Sequence, residues 1–366
     1  MNISTNTAGS ASNPSKMLYR IDPLRDSRWT PFVLGHPRGS VFHSSAWLRA
    51  IQRTYRYEPV AYTTSSEDVP LTNAVVLCEI DSWLTGRRMV SLPFSDHCDP
   101  LVDDPHVLKQ MLSTLRTQAL DEGRRYLEMR PFHPLSCGDS HFQTAEHYFH
   151  HQLDLTPSLD SLFRNFHKDS TQRKIRRAER ENLRFQEGST NSLLKAFYSL
   201  FVLTRRRHRI PPQPLLWFRN LIASFQDALQ IRVAFKAGGP VAAILTLQHK
   251  GTLTYKYGCS DARMNNLGGT QMLFWRAIQD AKKRGLVQFD LGRSDITNTG
   301  LVTFKDRWGA SRKEMSYLRY YPGGNSNSLD ITSKNDWKLR LAKQIFARSP
   351  DTILRAAGNL LYRHIG

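Results

Sequence analysis

The same order of predicted elements occurs twice along this chain of 366 residues. Three short runs rich in β-branched or aromatic residues come first, followed by a helical run and one further strand-like run. In chain order the runs are YEPVAYTT, TNAVVLCEI, RRMVSLPF, VLKQMLSTLRTQALDEG and RRYLEMR, and then QIRVAFK, PVAAILTLQ, TLTYKYGC, TQMLFWRAIQDAKKRG and LVQFDLG. Because two matching sets of elements fold most simply into two similar units, we predict an α/β fold with two related domains in tandem.

Cap and turn residues support the repeat. Gly123 and Gly285 follow the two helical runs as C-caps, and Thr270 is the expected N-cap of the second. A Ser-Asp pair follows the third strand of each set, Ser95-Asp96 in the first and Ser260-Asp261 in the second. The two halves therefore agree in detail as well as in order.

A basic helical insertion, residues 158–210, lies between the two sets. Its segment RNFHKDSTQRKIRRAERENLR holds eight Lys or Arg against three acidic residues. Asp169 and Gln172 fit a capping box that starts a helix. The arginines of this helix, Arg176 and Arg177 among them, then share a surface that we expect to face a phosphate-bearing substrate; a solvated helix face is the alternative.

Four segments follow from this division. They are a flexible lead over residues 1–16, a first domain over 17–150, a second domain with the insertion over 151–322, and basic amphipathic helices over 323–366. Amphipathic basic helices can lie on an anionic membrane surface, but docking of the last segment on the protein's own core is the favoured expectation.

Composition narrows the class of partner. The chain carries 51 Lys and Arg against 32 Asp and Glu, a formal net charge of +19. With 40% hydrophobic and 23% charged residues it resembles a globular protein rather than a disordered basic tail. A polyanionic partner is therefore expected. The sequence shows no secretory signal pattern, no run of about 18 apolar residues and no CxxC pair, so we expect a cytoplasmic protein.

A set of motifs in this order resembles the FemAB-type acyltransferases, which belong to the GNAT fold class. The motifs are FHSSAWLRAI, SLPFSDHCDPL, FHKDSTQRKIRRAERENL, YKYGCSD, FDLGRSD and GLVTFKDRWGA. The resemblance is to FemAB-like proteins found beside exopolysaccharide and exosortase gene sets. It implies two GNAT-like domains in tandem and acyl transfer to an amine from aminoacyl-tRNA or acyl-CoA. In the family, cell-wall acceptors are UDP-linked or lipid-linked muropeptides.

The resemblance also suggests catalytic residues. In GLVTFKDRWGA, Lys305 matches a lysine that the family implicates in stabilising negative charge, and it is the leading catalytic candidate. Asp96 and Asp99 in SLPFSDHCDPL are candidate bases or anchors for the acceptor amine, with ordinary turn residues as the alternative.

Further candidates lie on the strands of the second set. Arg293 in FDLGRSD could hold a carboxylate or phosphate, or could simply pair with Asp290. Tyr255 and Tyr257 alternate in TLTYKYG, so we expect them to share one strand face with Lys256 on the other. They would line the acyl cleft or pack into the core.

Gly268, Gly269 and Thr270 in NNLGGTQ stand where GNAT enzymes place the loop that wraps the CoA pyrophosphate. Their adjacent glycines depart from the family spacing, which weakens acetyl-CoA as donor and leaves a plain helix N-cap as the alternative. The His and Cys residues between positions 133 and 151 lack a recognised zinc spacing. We therefore expect no metal and no permanently bound cofactor.

The predicted function is aminoacyl or acetyl transfer to an amine of a cell-envelope or exopolysaccharide precursor. Expected partners are an anionic small molecule or lipid-linked sugar, with charged tRNA and the inner membrane face as further candidates. Two alternatives stay open: an acetyl-CoA-dependent N-acetyltransferase of an amino sugar, and a nucleic-acid-binding protein that uses the insertion. The repeated α/β units disfavour the last, so no DNA partner is expected.

Overall fold

The computed structural model describes residues 17–324, 346 and 349–365. The strands are β1 (Tyr19–Ile21), β2 (Glu58–Thr63), β3 (Val75–Ile80), β4 (Arg88–Val90), β5 (Leu127–Met129), β6 (Gln143–Asp154), β7 (Arg184–Gly188), β8 (Leu229–Lys236), β9 (Gly239–His249), β10 (Thr252–Ser260), β11 (Gln288–Asp295) and β12 (Ser311–Tyr320). The α-helices are α1 (Trp29–Gly35), α2 (Ser45–Tyr55), α3 (Pro105–Asp121), α4 (Leu159–Asn165), α5 (Arg173–Arg180), α6 (Asn191–Arg207), α7 (Leu215–Phe225), α8 (Gly269–Lys283), α9 (Thr299–Asp306) and α10 (Asp351–Ile365).

All of these strands form one sheet, in the order β1-β2-β3-β4-β5-β12-β6-β11-β10-β9-β8-β7. The predicted repeat is confirmed. Strands β2, β3 and β4 are antiparallel, and α3 leads to β5, which pairs in parallel with β4. Strands β8, β9 and β10 are likewise antiparallel, and α8 leads to β11, which pairs in parallel with β10.

The two units exchange strands at the centre of the sheet. Strand β6 follows β5 in the chain but pairs with β11 of the second unit. Strand β12 follows β11 and α9 but pairs with β5 of the first unit. The exchanged strands also pair with each other, from Ser311 opposite Gln152 to Arg319 opposite Gln143. Each unit therefore depends on a strand from the other for the hydrogen bonds of its inner edge.

Helices cover both faces of the sheet. One core runs across both units on one face, and α2, α6 and α7 supply its helical side. In it Trp47 of the first unit meets Trp217 of the second edge to face, with ring centroids 5.2 Å apart. On the opposite face, α3 packs over the first unit and α4, α5 and α8 pack over the second. The shared core is a second link between the units.

Several predicted boundaries differ from the structure. The domain boundary at residues 150 and 151 falls inside β6, and the insertion contains β7 as well as helices. The segment Lys168–Gln172 is π-helical and His167 caps it, whereas Gln172 is buried and its amide donates to the Phe166 carbonyl at 2.7 Å. The predicted capping box at Asp169 is therefore wrong, because the Gln172 side chain is buried and bonded to the Phe166 carbonyl instead of capping the helix.

The ends of the chain lie largely outside the described residues. These include the predicted lead over residues 1–16 and most of the first C-terminal helix, with Trp337, Leu341 and Ile345. Helix α10 is described and buries Leu354 against the body, while the hydroxyl of Tyr57 donates to the Tyr362 carbonyl at 3.0 Å. Among the described residues, no helix combines the length and apolar character that crossing a bilayer requires.

An ion network crosses the exchanged strands. Glu128 on β5 is 1% exposed and accepts hydrogen bonds from Nε of Arg130 at 2.7 Å and Nε of Arg319, on β12, at 2.5 Å. A second nitrogen of Arg319 reaches Glu146 on β6 at 3.0 Å. Burial would raise the pKa of Glu128, but the two arginines outweigh it and lower that pKa. Its contribution to stability is therefore present above its unfolded-state pKa of about 4.3 and is lost as the pH falls.

We expect Glu128→Ala to lower the free energy of unfolding by about 3–5 kcal/mol at neutral pH, because it leaves buried arginine charge unpaired. Glu146→Ala is the matched control. Its side chain is 41% exposed and pairs with the same arginine, so a loss below about 1 kcal/mol is expected. Urea denaturation measures both values. Equal losses in the two variants would contradict a central role for Glu128.

Candidate active site

The candidate site lies where β10 and β11 separate. The two strands pair in parallel only from Thr252 opposite Gln288 to Thr254 opposite Asp290. Beyond this point the pairing register shifts by one residue in each strand. The shift lies at Lys256 where β10 pairs with β9, and at Leu291 where β11 pairs with β6. Extra residues of this kind bend a strand and re-aim its side chains. The separated strands thus open a gap in the sheet.

A cavity of about 620 Å³ occupies this gap. Residues of β10 and β11 line it together with the end of α6 and the start and end of α9. We call it the acyl cavity. Its lining includes five lysines and arginines, Arg205, Arg207, Lys256, Arg293 and Lys305. Among the residues that line it, Asp96 is the one carboxylate, so the acyl cavity favours an anionic ligand.

Lys305 is held at the wall of the acyl cavity. Its neighbour Phe304 and the nearby Trp308 pack on Phe274, which fixes the end of α9. The ammonium group donates to the Gly292 carbonyl at 2.8 Å and to the Arg293 carbonyl at 2.9 Å. An ammonium group has three N–H donors, and the described part of the chain engages two of them, which leaves one for a ligand. Burial lowers the pKa of Lys305 to about 8.

Asp96 reaches the acyl cavity from the first unit. It lies in the loop after β4, and its Oδ1 is 3.0 Å from Nζ of Lys256 and 3.8 Å from Nε of Arg293. The side chain of Lys256 is only 6% exposed and lies over the rings of Phe42 and Trp47. Burial lowers the pKa of Lys256, opposed by the charge of Asp96.

A second cavity of about 360 Å³ adjoins the first. The two share Asp96, Arg205, Lys256, Tyr257 and Arg293, and Arg130 and Gln213 also line the second. The guanidinium of Arg293 lies 4.2 Å from the ring centroid of Tyr148. Asp96 and Arg293 therefore stand between two connected spaces, the arrangement that two reacting molecules need.

The two tyrosines do not share a strand face. Tyr255 packs on Phe274 under α8, whereas Tyr257 contacts Phe218 and accepts a hydrogen bond from the Trp217 indole at 2.8 Å. Lys256 is the extra residue of the bulge, so the alternation of a regular strand does not hold. Both tyrosines nonetheless line the acyl cavity.

The remaining candidates lie away from the acyl cavity. Asp99 accepts hydrogen bonds from the amides of Phe132 and His133, at 2.8 and 3.0 Å, and so holds the 131–133 loop. On α5, Arg176 lies over the ring of Phe163 and Arg177 is 3.6 Å from Glu181. Neither arginine lines the acyl cavity.

The glycine loop also packs on protein. Gly268, not Thr270, is the N-cap of α8, and its φ is +80°. A Cβ at Gly268 would come within 2.1 Å of the Lys174 carbonyl oxygen, and one at Gly269 would touch Ala242. The backbone of α5 therefore lies against the residues that precede α8.

Sequence reasoning missed Lys256, Arg205 and Arg207. Lys256 was predicted to lie on the strand face opposite to Tyr255 and Tyr257, because the sequence of a strand does not show where a bulge interrupts its alternation. The basic run at the end of α6, directly before Pro211, was a usable signal for the two arginines. Its meaning depends on how α6 meets β10, which only the fold defines.

Parts of this chain are similar in sequence to known proteins. Residues 165–305 match the family model "Acetyltransferase (GNAT) domain". Over 158 residues the chain is 27% identical to the UDP-N-acetylmuramoylpentapeptide-lysine N(6)-alanyltransferase of Weissella viridescens. That match covers 42% of this chain and 46% of the relative, so it spans about half the length of each protein.

Solved structures share the fold over most of this chain. The crystal structure of FemX superposes with a TM-score of 0.65 at 13% identity, covering 86% of this chain and all of FemX. A tandem GNAT protein from the clavulanic acid biosynthesis pathway gives a TM-score of 0.51 at 8% identity, with 84% and 98% of the two chains covered. The fold is thus that of a tandem GNAT protein. The chain is therefore similar in fold to FemX over most of its length, and its residues 165–305 carry the GNAT domain match.

A double-mutant cycle tests the Asp96–Lys256 pair. Asp96→Asn should lower the free energy of unfolding by about 3 kcal/mol, because the buried ammonium of Lys256 loses its counter-charge. Asp96→Asn combined with Lys256→Met removes both charges and should regain most of that loss. Urea denaturation measures each variant. If the double variant is as unstable as Asp96→Asn alone, the two groups are not coupled.

Proposed function

We propose that this chain transfers an acyl group, aminoacyl or acetyl, from an activated ester or thioester to an amine of a cell-envelope precursor. The observation that carries the proposal is Lys305, whose third N–H is left for a ligand in a cationic cavity. Acyl transfer builds negative charge on the carbonyl oxygen in its transition state, and a fixed donor at that point lowers the barrier.

The reaction needs no nucleophile from the protein. The neutral amine of the acceptor attacks the carbonyl carbon, and a C–N bond forms as the carbonyl oxygen becomes an oxyanion. Lys305 donates its free N–H to this oxyanion. When the intermediate collapses, the C–O or C–S bond to the leaving group breaks, and the proton lost by the amine ends on the leaving oxygen or sulfur. Asp96, at the junction of the two cavities, holds the acceptor amine in place.

The packing of Gly268 favours aminoacyl-tRNA over acyl-CoA as the donor. A helix N-terminus binds a pyrophosphate when its amides are open to the ligand. Here the Lys174 carbonyl oxygen lies against Gly268 at the start of α8, and a carbonyl oxygen repels a phosphate. The cationic acyl cavity suits the polyanionic end of a tRNA.

The named activity of the Weissella relative supports a peptidoglycan precursor as the acceptor. We propose a UDP-linked or lipid-linked muropeptide amine, with an amine of an exopolysaccharide precursor as the other member of this class. Arg130, Arg205 and Arg293 line the second cavity, where an acceptor's phosphate or carboxylate would find charge-assisted hydrogen bonds.

A lipid-linked acceptor would bring the chain to the inner face of the membrane. Trp83 is 83% exposed, and its ring lies 5.4 Å from that of His364 on α10. Leu84 and Leu360 are also exposed, at 48% and 61%. An exposed Trp with an exposed Leu next to it in the chain and a histidine against its ring is typical of peripheral membrane contact.

The direct test offers the purified chain a panel of labelled donors and acceptors. Alanyl-, seryl- and other aminoacyl-tRNAs and acetyl-CoA are each combined with a UDP-linked muropeptide, and mass spectrometry follows the acceptor. An aminoacylated amine is the expected product. Acetylation from acetyl-CoA alone would move the assignment to a conventional N-acetyltransferase, and no product with any pair would contradict acyl transfer to this class of acceptor.

Lys305→Met should lower kcat by about 10²–10³, the usual effect of removing one oxyanion donor. Lys195→Met is the matched control, because Lys195 is exposed on α6 and should leave kcat unchanged. Circular dichroism confirms that both variants fold. A Lys305→Met variant within threefold of wild type would remove Lys305 from the mechanism.

The pH dependence follows from the same residue. Only the ammonium form of Lys305 stabilises the oxyanion, and its pKa is about 8, so kcat should fall as the pH rises through 8. Lys305→Arg keeps its charge over this range. Its rate should be lower throughout, but the decline near pH 8 should disappear. Retention of that decline in Lys305→Arg would assign it to another group.

Membrane contact is tested by flotation with lipid vesicles. The chain should float with vesicles rich in phosphatidylglycerol and much less with phosphatidylcholine vesicles, because the net charge is strongly positive. Trp83→Ser should reduce flotation severalfold. Leu216→Ser is the control, since Leu216 is 47% exposed on α7. Equal flotation of the two variants would rule out the Trp83 surface.

A further inference from the structure

A second cluster of chemically active side chains lies outside the acyl cavity. His97, His150 and Asp290 are each buried, and one ligand atom from each falls within 4.8 Å of the others. They come from three separate segments: the loop after β4, strand β6 and strand β11. None of the three lines the acyl cavity. Their separation in the chain explains why no zinc spacing was visible in the sequence.

The three side chains converge on one carboxylate. Nε2 of His150 lies 2.9 Å from Oδ1 of Asp290, and Nε2 of His97 lies 3.8 Å from Oδ2. In a tetrahedral zinc site, bonds of about 2.0–2.2 Å place neighbouring ligand atoms roughly 3.3–3.5 Å apart. The two observed separations, each to a different oxygen of Asp290, lie on either side of that value, and the three ligand atoms all lie within 4.8 Å of one another. A small movement of the two imidazoles would put all three atoms in the first coordination shell of one ion.

The hydrogen bonding of the cluster is incomplete. His150 is fully buried, and neither of its ring nitrogens makes a well-aligned hydrogen bond within the described residues, although Nε2 forms an ion-pair contact with Asp290 at 2.9 Å. Nδ1 of His97 is also unpaired within that part of the chain. Buried polar atoms without partners are costly. A cation between the imidazoles and the carboxylate would give Nε2 of His150 a partner and would bind Nε2 of His97, the nitrogen that faces Asp290.

The surroundings leave one side of the cluster open. A cavity of about 350 Å³ is lined by His97 and Asp290, together with His133, Gln152 and His249. The ring of Phe132 packs on both imidazoles and closes another side. Three protein ligands with a fourth position facing a cavity are the usual set of an open zinc site. The Gly292 amide donates to Oδ1 of Asp290 at 2.7 Å, the oxygen that His150 also approaches, and helps to fix the carboxylate.

We propose that His97, His150 and Asp290 bind one divalent transition-metal ion, Zn²⁺ by its ligand preference, with an exchangeable fourth ligand in the adjacent cavity. The ion joins a loop of the first unit to two strands at the centre of the sheet. Binding therefore stabilises the junction of the units, independently of acyl transfer. Imidazole and carboxylate together suit Zn²⁺ better than Mg²⁺ or Ca²⁺, which prefer all-oxygen sites.

The test uses the untagged full chain, stripped with a chelator, at neutral pH. Titration with Co²⁺ should give visible ligand-field bands that saturate at one ion per chain, and Zn²⁺ should displace them. Elemental analysis of the Zn²⁺-loaded chain should likewise give one ion. The melting temperature should rise with Zn²⁺ concentration, because the folded state alone holds the complete site.

Variants assign the ligands. His97→Asn and His150→Asn should each weaken metal binding by at least about tenfold. His133→Asn is the matched control. The His133 side chain is 46% exposed and lines the same cavity, but it is not part of the cluster, so this variant should bind the metal as wild type does. If His150→Asn fails to fold, the spectra of wild type and His97→Asn still decide. Absence of saturable Co²⁺ or Zn²⁺ binding by the folded wild type would overturn the proposal, as would unchanged binding in His97→Asn.

Discussion

The exchange of β6 and β12 is the constraint on which the rest of this structure depends. Each unit contributes a strand to the inner edge of the other, so the sheet is continuous and its centre belongs to both. The exchange sets the first unit's loop after β4 against the separated strands of the second. Asp96 and His97 are neighbours in that loop, yet they face different cavities. A single unit would contain neither site in full.

The bulges in β10 and β11 form the acyl cavity within this continuous sheet. At Lys256 the bulge directs an ammonium toward Asp96, and beyond Leu291 the Gly292 carbonyl becomes an acceptor for Lys305. Gly292 also connects the two proposed sites, because its amide donates to Asp290 while its carbonyl receives Lys305. Its φ is +71°, and a Cβ there would lie 3.1 Å from Asp96, so glycine fits this position best.

Much of the fold could be predicted from the sequence, because turn residues and periodic apolar runs mark both copies of the repeat. Strands β1, β6, β7 and β12 were not predicted, for a physical reason. They are half-exposed, and β6 in particular is rich in histidine and charge, so their pairing partners rather than their own residues make them strands. The order of the motifs pointed to the family resemblance. The strand exchange could not be predicted in this way, because it depends on which distant strands pair and leaves no local pattern in the sequence.

The sequence predicted those residues of the site that belong to a recognisable motif. Lys305, Asp96 and Arg293 were found as candidates and do lie together in the structure. Lys256 and the cluster of His97, His150 and Asp290 were not, because a bulge and a three-segment convergence are visible only in the fold. Arg176 and Arg177 are the opposite case. Their charge pattern is strong in the sequence, but both lie on α5 and neither lines the acyl cavity.

The central claim is that acyl transfer takes place between the separated strands β10 and β11. A crystal structure with a non-hydrolysable conjugate of the aminoacyl-tRNA 3′ end and the acceptor amine tests it most directly. The account predicts that the oxygen mimicking the oxyanion lies about 2.7–3.1 Å from Nζ of Lys305, with the acceptor part in the space shared by Asp96 and Arg293. A conjugate bound elsewhere, with the acyl cavity empty, would contradict it.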